Sequence, residues 1–248
     1  VEKIDGKWWF IDPEGYLFWS TGVNSAGKFN VATPINGRRH FFEDLPNREN
    51  SNFYNGNKFN FGNLILSIKY GSSDLYLNRS LKRMKSWGMN SMGGWSNNDI
   101  IQANNDQKVP YTLSVGTLKY KVNSKLPDVF NENWKNNVNN NIKRVSAIAK
   151  NDSFFIGFFV DNELSWYDPN NFVLEMFKFK KSTSTKSKYI EELKKEFVKI
   201  DLLNKKCGSN FISWKEFEDF EGDKFLSNLK AFNVKFYIQF CEKYFKTI

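Results

Sequence analysis

One stretch near the middle of the chain, Phe154 to Glu163 with the sequence FFIGFFVDNE, constrains the fold most strongly. Its apolar run ends abruptly at Asp161, Asn162 and Glu163. A half-exposed strand would alternate apolar and polar residues, so this run predicts a parallel strand that is covered on both faces. Polar residues directly after such a strand lie at its carboxyl end, where (β/α)8 barrels carry their active sites.

The residue types at this strand end suit the recognition and cleavage of a sugar. The Asn162 amide can bind a sugar hydroxyl, and the Glu163 carboxyl can protonate a glycosidic oxygen. Apolar neighbours such as Phe159, Val160 and Leu164 would partly desolvate that carboxyl and favour its protonated form. The same tripeptide could instead cap a helix, and acidic strand ends occur in barrels of every function.

The order of the predicted elements indicates an α/β fold. A hairpin turning at Asp12-Pro13-Glu14-Gly15 leads into a first strand that ends near Asn24. Three more strands are predicted at about 89–95, 110–115 and 154–160, and apolar residues at helical spacing predict helices before the second and fourth of these four strands. Alternating strands and helices favour parallel pairing with right-handed crossovers.

After Glu163 the apolar spacing is helical only, with one amphipathic helix predicted over 190–203 and another over 226–244. A chain of 248 residues is long enough for a complete barrel, but only four strands are predicted. We therefore expect one domain over 1–248 of the (β/α)8 TIM-barrel type, present as its N-terminal half with an extra hairpin. The expected layout is a hairpin and strand 1 at about 7–24, a long loop at 25–72, strands 2–4 with helices at 74–166, and a helical C-terminal part at 187–248.

Composition narrows the classes of function. The net charge of +9 could attract an anionic polymer, but the lysines are scattered and no nucleic-acid motif accompanies them, so we expect no nucleic-acid partner. A single histidine, His40, and two cysteines, Cys207 and Cys241, exclude a His-rich zinc site, and we expect no metal and no cofactor. No apolar run approaches the ~20 residues of a membrane span.

Further candidate binding residues lie at the predicted strand ends. Trp95 with Ser96 and Asn97 ends the second strand, where an indole can stack on a sugar ring and polar groups can bind its hydroxyls. Trp166 follows Glu163 closely, and Asn24 ends the first strand. Each tryptophan could equally be a core residue.

Five segments in the same order give the chain a family resemblance: WWFIDPEGYLFWSTGVN, INGRRHFFEDLP, LKRMKSWGMNSMGGWS, VPYTLSV and FFIGFFVDNELSW. Together they resemble agarase-like glycoside hydrolases of the clan whose (β/α)8 barrels carry an Asn-Glu pair on the fourth strand. The resemblance implies that Glu163 is the general acid/base and that Asn162 binds the hydroxyl next to the reacting carbon. Arg39 stands where the family pattern has an acidic residue.

The family's nucleophile is a second Glu on a later strand, and no segment here matches it. The later carboxylates Glu216, Glu218 and Glu221 lie in helix-like or loop-like segments and are expected to be surface groups. The hypothesis is therefore a fragment of a retaining glycosidase for a galactose-containing polysaccharide such as agarose, inactive by itself and, by the resemblance, secreted or periplasmic. The alternatives are an inactive carbohydrate-binding remnant and, less favoured, a basic nucleic-acid-binding protein. The oligomeric state stays open.

Overall fold

The structure is a computed structural model that describes residues 1–27, 31–48, 52–101, 108–123, 125–179, 182–221 and 224–248. These residues group into two compact units. Unit 1 comprises Val1–Ser114 and Ile148–Phe159, and unit 2 comprises Val115–Ala147 and Val160–Ile248.

The strands in chain order are β1 (Glu2–Ile4), β2 (Lys7–Ile11), β3 (Leu17–Phe18), β4 (Gly22–Val23), β5 (Ala32–Pro34), β6 (Tyr54–Asn55), β7 (Lys58–Asn60), β8 (Ser91–Met92), β9 (Tyr111–Val115) and β10 (Phe155–Val160). The α-helices are α1 (Phe61–Tyr70), α2 (Ser73–Ser86), α3 (Asn98–Ile101), α4 (Glu132–Ser146), α5 (Pro169–Lys178), α6 (Ser184–Phe197), α7 (Ile200–Cys207), α8 (Trp214–Asp219) and α9 (Lys230–Thr247). Within the described residues, 3-10 helices also cover Arg39–Phe41 and Lys224–Leu229.

The predicted hairpin is present in unit 1, where β1, β2 and β3 form an antiparallel sheet. In its turn the Gly15 N–H donates to the Asp12 carbonyl at 3.1 Å, and the Asp12 N–H donates to the Tyr16 carbonyl at 2.9 Å. Gly15 has a φ of 91°, a backbone conformation that a residue without a Cβ adopts easily. Pro13 before it presets the turn, which is why the sequence signal was reliable.

Four of the strands form one sheet in the order β10-β9-β8-β4. The pairs β4 with β8 and β8 with β9 are parallel. The Tyr111 N–H donates to the Phe154 carbonyl and the Asp161 N–H to the Val115 carbonyl, each at 2.9 Å, so β9 and β10 also run in the same direction. The α/β fold with a parallel sheet is thereby established. The sheet of these four strands is open, and the closed (β/α)8 barrel stays a prediction.

The burial predicted for the fourth parallel strand is wrong. β10 forms where the apolar run predicts it, but Phe158 and Phe159 are each 39% exposed and Phe154 is 37% exposed. The physical reason is that the cover of a strand's faces comes from elements distant in the sequence, which an apolar run does not identify. Within the described sheet, β10 lies at the end of the order, beside β9.

The segment 25–72, predicted as a long loop, contains regular structure. β5, β7 and β6 form a second antiparallel sheet, and α1 follows β7 directly. The Asn60 side chain accepts from the Asn63 N–H at 3.0 Å and caps α1. Phe59 is fully buried and packs edge-to-face against Phe61 with the ring centroids 4.7 Å apart. Strands of two or three residues show too little periodicity to be recognised from the sequence. Residues 28–30 and 49–51 lie outside the described residues.

Unit 2 is built around helices α4 to α9, whose apolar faces share one core. Fully buried members of this core include Trp134, Phe172, Tyr189, Phe217 and Phe240. Ring contacts join the helices, as between Phe172 of α5 and Phe240 of α9 with centroids 4.6 Å apart. None of the described helices has the length and apolar character needed to cross a membrane.

The long helix predicted over 190–203 is two helices. α6 ends at Phe197 and α7 begins at Ile200, with Val198 at a φ of 46° between them. The apolar spacing continues through the break because both helices face the same core. Helices α5 and α8 were not predicted, although Asp168-Pro169 and Ser213 carry their N-terminal capping signals.

Candidate functional site

The backbone at the end of β10 has an unusual conformation. Asp161 has a φ of 53° and Glu163 a φ of 50°, so residues in the left-handed region lie on both sides of Asn162. Such conformations cost of order 1–3 kcal/mol each for a residue with a Cβ, and they persist where surrounding contacts hold them. This turn directs the chain out of the strand at the point where the sequence predicts catalytic chemistry.

Asp161 is the residue that fixes this turn. Its carboxylate accepts three hydrogen bonds: from the Thr117 N–H at 2.6 Å, from the Thr117 hydroxyl at 2.5 Å and from the Tyr244 hydroxyl at 2.9 Å. Thr117 is fully buried and follows β9. The Trp134 indole N–H donates to the Thr117 carbonyl at 3.1 Å. Sequence reasoning assigned no role to Asp161 and missed Thr117 and Tyr244, because nothing local marks partners so distant along the chain.

Asn162 and Glu163 are both exposed. The Glu163 side chain is 75% exposed, and its Oε2 lies 3.8 Å from the Lys125 Nζ. The expected desolvation of this carboxyl by its apolar neighbours is therefore not provided by the described residues. An ion pair between two exposed side chains contributes little to stability. The exposure of the Glu163 side chain leaves its carboxylate accessible to a ligand.

Trp166 lies against the C-terminal helix α9. Its ring stacks on Phe245 with centroids 5.6 Å apart and an interplanar angle of 17°, and it meets the Tyr244 ring edge-to-face at 5.3 Å. The side chain remains 41% exposed. The arrangement is compatible with a core role and with a binding role for Trp166, because one part of the indole is packed and another part faces solvent.

The polar candidates of unit 1 are largely engaged within the chain. The Ser96 hydroxyl donates to the Gly93 carbonyl at 2.9 Å and accepts from the Ala26 N–H at 3.1 Å. The Asn97 side chain accepts from the Asp99 N–H at 2.8 Å and donates to the Gly27 carbonyl at 3.4 Å. These contacts favour a structural role for both side chains, and their role in binding stays a prediction.

Trp95 and Asn24 lie beside the same turn after β8. Trp95 has a φ of 62°, its N–H donates to the Ser114 hydroxyl at 3.0 Å, and its ring meets Phe159 edge-to-face at 5.2 Å. A Cβ on Gly93 would lie 2.0 Å from the Asn24 Oδ1, so this close approach requires glycine. Unit 1 thus gathers Asn24, Trp95, Ser96 and Asn97, and unit 2 gathers Asn162, Glu163 and Trp166.

The later carboxylates occupy structural positions. Glu216 accepts from the Ile212 N–H at 2.7 Å near the start of α8, and Glu218 pairs with Lys194 at 2.6 Å. Glu221 is exposed, and it borders a groove of about 500 Å³ in unit 2. At the carboxyl ends of the four parallel strands, the carboxylates among the described residues are Asp161 and Glu163.

Many lysines of unit 2 are paired with acidic side chains. Lys188 and Lys195 each contact Glu191 and Glu192 along α6 at 2.6–3.0 Å. On α6 the basic charge is therefore interleaved with acidic charge. In the described part of the chain, no group of three or more His, Cys, Asp and Glu side chains is placed to hold a metal ion.

These observations define the class of protein. It has an α/β fold with a parallel sheet, and an exposed amide and carboxylate follow the strained end of one strand.

No family model matches the sequence. The curated Beta-agarase B from Vibrio sp. (strain JT0107) is 28% identical over 309 aligned residues that include 100% of this chain and 31% of the relative. Beta-agarase A of the same strain is 28% identical over 202 residues, covering 66% of this chain and 19% of the relative.

Solved structures agree on the fold. PfGH50B superposes with a TM-score of 0.76 at 24% identity, and an exo-beta-agarase with a TM-score of 0.74 at 22% identity. Each alignment covers 99% of this chain and 42–43% of the solved chain. The resemblance to agarase-like glycoside hydrolases is therefore confirmed. The chain spans about a third or less of the length of the curated relatives that it matches.

Proposed function

We propose that this chain carries the acid/base part of a retaining glycosidase site that acts on a galactose-containing polysaccharide such as agarose. The observation that carries the proposal is the Asn162-Glu163 pair at the end of β10, which is exposed and is set between two residues of positive φ. The relatives named as beta-agarases supply the substrate class. Because a polysaccharide of this kind is too large to cross a membrane, we propose that the protein acts outside the cytoplasm.

In this proposal Asn162 binds the hydroxyl beside the reacting carbon, and Glu163 gives its proton to the glycosidic oxygen as the bond breaks. A retaining enzyme then needs a second carboxylate about 5–5.5 Å away, which forms the glycosyl intermediate that water later hydrolyses. Asp161 already accepts three hydrogen bonds, and the other carboxylates discussed above lie on or near helices. We therefore propose that the chain by itself binds sugar without cleaving it.

Two measurements on the purified chain test the proposal. Calorimetric titration with agarose-derived oligosaccharides should show binding, and an assay for new reducing ends should show no hydrolysis above a Glu163→Gln control. Hydrolysis that Glu163→Gln abolishes would support the role of Glu163 and refute the silence of the chain. If the wild-type chain binds none of these oligosaccharides, the carbohydrate function is contradicted. If Asn162→Ala binds them with the same affinity as the wild type, the proposed site is contradicted.

A further inference from the structure

Tyr244 of the C-terminal helix α9 contacts three other residues of unit 2, which are Asp161, Trp134 and Trp166. The Tyr244 hydroxyl donates to the Asp161 Oδ2 at 2.9 Å. Its ring stacks on Trp134 with centroids 6.2 Å apart and meets Trp166 edge-to-face at 5.3 Å. Tyr244 is 2% exposed, so these contacts are made inside the protein.

The contacts of Tyr244 coincide with the strained backbone. Asp161 and Glu163 hold positive φ values that a chain with free side chains would relax, and the three hydrogen bonds to Asp161 oppose that relaxation. Two of those bonds come from Thr117, the next residue but one after β9. The third comes from Tyr244, which is 83 residues away in sequence.

Chemistry explains why a tyrosine suits this place. A phenol joins a flat apolar ring, which packs between Trp134 and Trp166, to a hydroxyl that can donate to a carboxylate. A hydrogen bond to an ionised acceptor is stronger than a neutral one, and burial of the donor strengthens it further. Burial and the bond to Asp161 both raise the pKa of Tyr244, so its hydroxyl keeps the proton that the bond requires at neutral pH.

We propose that Tyr244 is a positioning residue: its hydroxyl holds the turn at Asp161 and its ring holds Trp166, so that one residue of α9 sets the conformation of the segment 161–166. This inference goes beyond the proposed function, and its relevance to sugar binding rests on that function. Within the described residues, the Tyr244 hydroxyl bonds to Asp161 and not to Asn162 or Glu163. Its action passes through Asp161 and Trp166.

A series of variants separates the two contacts. Tyr244→Phe removes the hydroxyl and keeps the ring, and Tyr244→Leu removes both. Tyr189→Phe is the matched control, because the buried Tyr189 hydroxyl donates to the Asn233 Oδ1 at 2.7 Å in the same unit. It loses one hydrogen bond of a buried tyrosine, to a neutral acceptor, without touching Asp161.

Amide hydrogen exchange by NMR reads the first contact without any ligand. The Thr117 and Asp161 amides donate to the Asp161 Oδ1 and the Val115 carbonyl. In Tyr244→Phe the Thr117 and Asp161 amides should exchange about tenfold faster than in the wild type, as expected for the loss of one hydrogen bond. In Tyr189→Phe their exchange rates should stay within about twofold of the wild-type rates. The Trp166 indole resonance should stay in place in Tyr244→Phe and shift in Tyr244→Leu.

Affinity for agarose-derived oligosaccharides is the second readout. We expect it to fall about threefold to tenfold in Tyr244→Phe and to change less than about twofold in Tyr189→Phe. Unchanged exchange in Tyr244→Phe, or equal acceleration in both tyrosine variants, would overturn the positioning role. Faster exchange with full affinity would overturn its link to binding. A wild-type chain that binds no sugar would refute the proposed function, and the exchange data would still decide the role of Tyr244.

Discussion

Glu163 combines a strained backbone with an accessible carboxylate, and this pairing has direct consequences at the scale of single residues. Its neighbour Lys125 is exposed as well, so replacing the carboxylate removes little folding energy. A functional role and a structural role therefore make different predictions for the same substitution.

We predict that Glu163→Gln leaves the melting temperature unchanged and the oligosaccharide affinity within about twofold, since the amide keeps the shape of the side chain and removes only its ionisable proton. In a full-length context, the same change should remove most of the hydrolysis. Glu242→Gln is the control, because Glu242 is also exposed and also pairs with one lysine, Lys246, at 2.9 Å. In that full-length context, hydrolysis by Glu163→Gln within twofold of wild type would remove Glu163 from the role of acid/base.

We predict that Trp166→Ala weakens oligosaccharide binding by roughly 1–3 kcal/mol, the range for burying a large apolar side chain. It should also lower the melting temperature, because the indole stacks on Phe245. Trp87→Ala is the control: Trp87 is 62% exposed and lies at the end of α2 in unit 1. If Trp166→Ala loses thermal stability and keeps its full affinity, the indole is a core residue and not a binding platform.

At the scale of elements, the break between α6 and α7 carries identifiable strain. Val198 has a φ of 46° and a ψ of −50°, and the Lys199 N–H donates to the Phe197 carbonyl across it, which closes a γ-turn. A β-branched residue is poorly suited to positive φ, and the strained form of the γ-turn is rare. The Val198 side chain is 72% exposed, so little burial offsets this strain.

We predict that Val198→Gly stabilises the protein by about 0.5–1 kcal/mol, because relief of the positive φ outweighs the extra freedom of glycine in the unfolded chain. Val234→Gly, within the regular helix α9, should instead destabilise it by about 0.5–1 kcal/mol. Urea unfolding of both variants measures the difference. A loss of stability in Val198→Gly equal to that in Val234→Gly would show that the turn is unstrained.

β10 is the second element with a testable consequence. It is a terminal strand of its sheet and exposes Phe158 and Phe159, and such an edge is a template for pairing with another chain. We predict association that grows with concentration and that Phe158→Lys reduces, measured by size-exclusion chromatography with light scattering. Phe41→Lys, which removes an apolar side chain that is 71% exposed outside the strands, should have no such effect. A wild-type chain that stays monomeric at all concentrations would refute this prediction.

At the scale of the whole molecule, buried tyrosines couple folding to alkaline pH. Burial raises the pKa above the ordinary value for the buried Tyr111, Tyr189 and Tyr244 and for the half-buried Tyr237. The folded chain therefore holds these protons more tightly than the unfolded chain, in which a tyrosine titrates near pH 10. Their contribution to stability is fully present below about pH 10 and is lost as the pH rises toward the folded pKa values.

We predict that the urea midpoint falls steadily above about pH 10 and that Tyr237→Phe makes the fall less steep, since one of the shifted hydroxyls is gone. Tyr16→Phe, at a tyrosine that is 71% exposed, should leave the slope as in the wild type. A midpoint that is constant or rises between pH 9 and 11 would show that these hydroxyls are not protected in the folded state.

Features that depend on neighbours along the chain could be predicted from the amino-acid sequence. The hairpin turn at Asp12-Pro13-Glu14-Gly15, the strand Phe155–Val160 and the position of Asn162-Glu163 at its end all follow from local residue types and their spacing. The resemblance to agarase-like glycoside hydrolases also rests on short local segments. Such signals survive because turn geometry and apolar periodicity are properties of a few consecutive residues.

Which side chains contact each other, and which side chains are buried, depends on the tertiary structure. The exposure of β10 depends on which elements pack against its faces, and an apolar run is the same for a covered and an uncovered strand. Asp161 meets Tyr244 across 83 residues, and that contact depends on how α9 packs in the helical core of unit 2. Contacts between distant residues depend on the packing of every element between them, which is why no local pattern announces them.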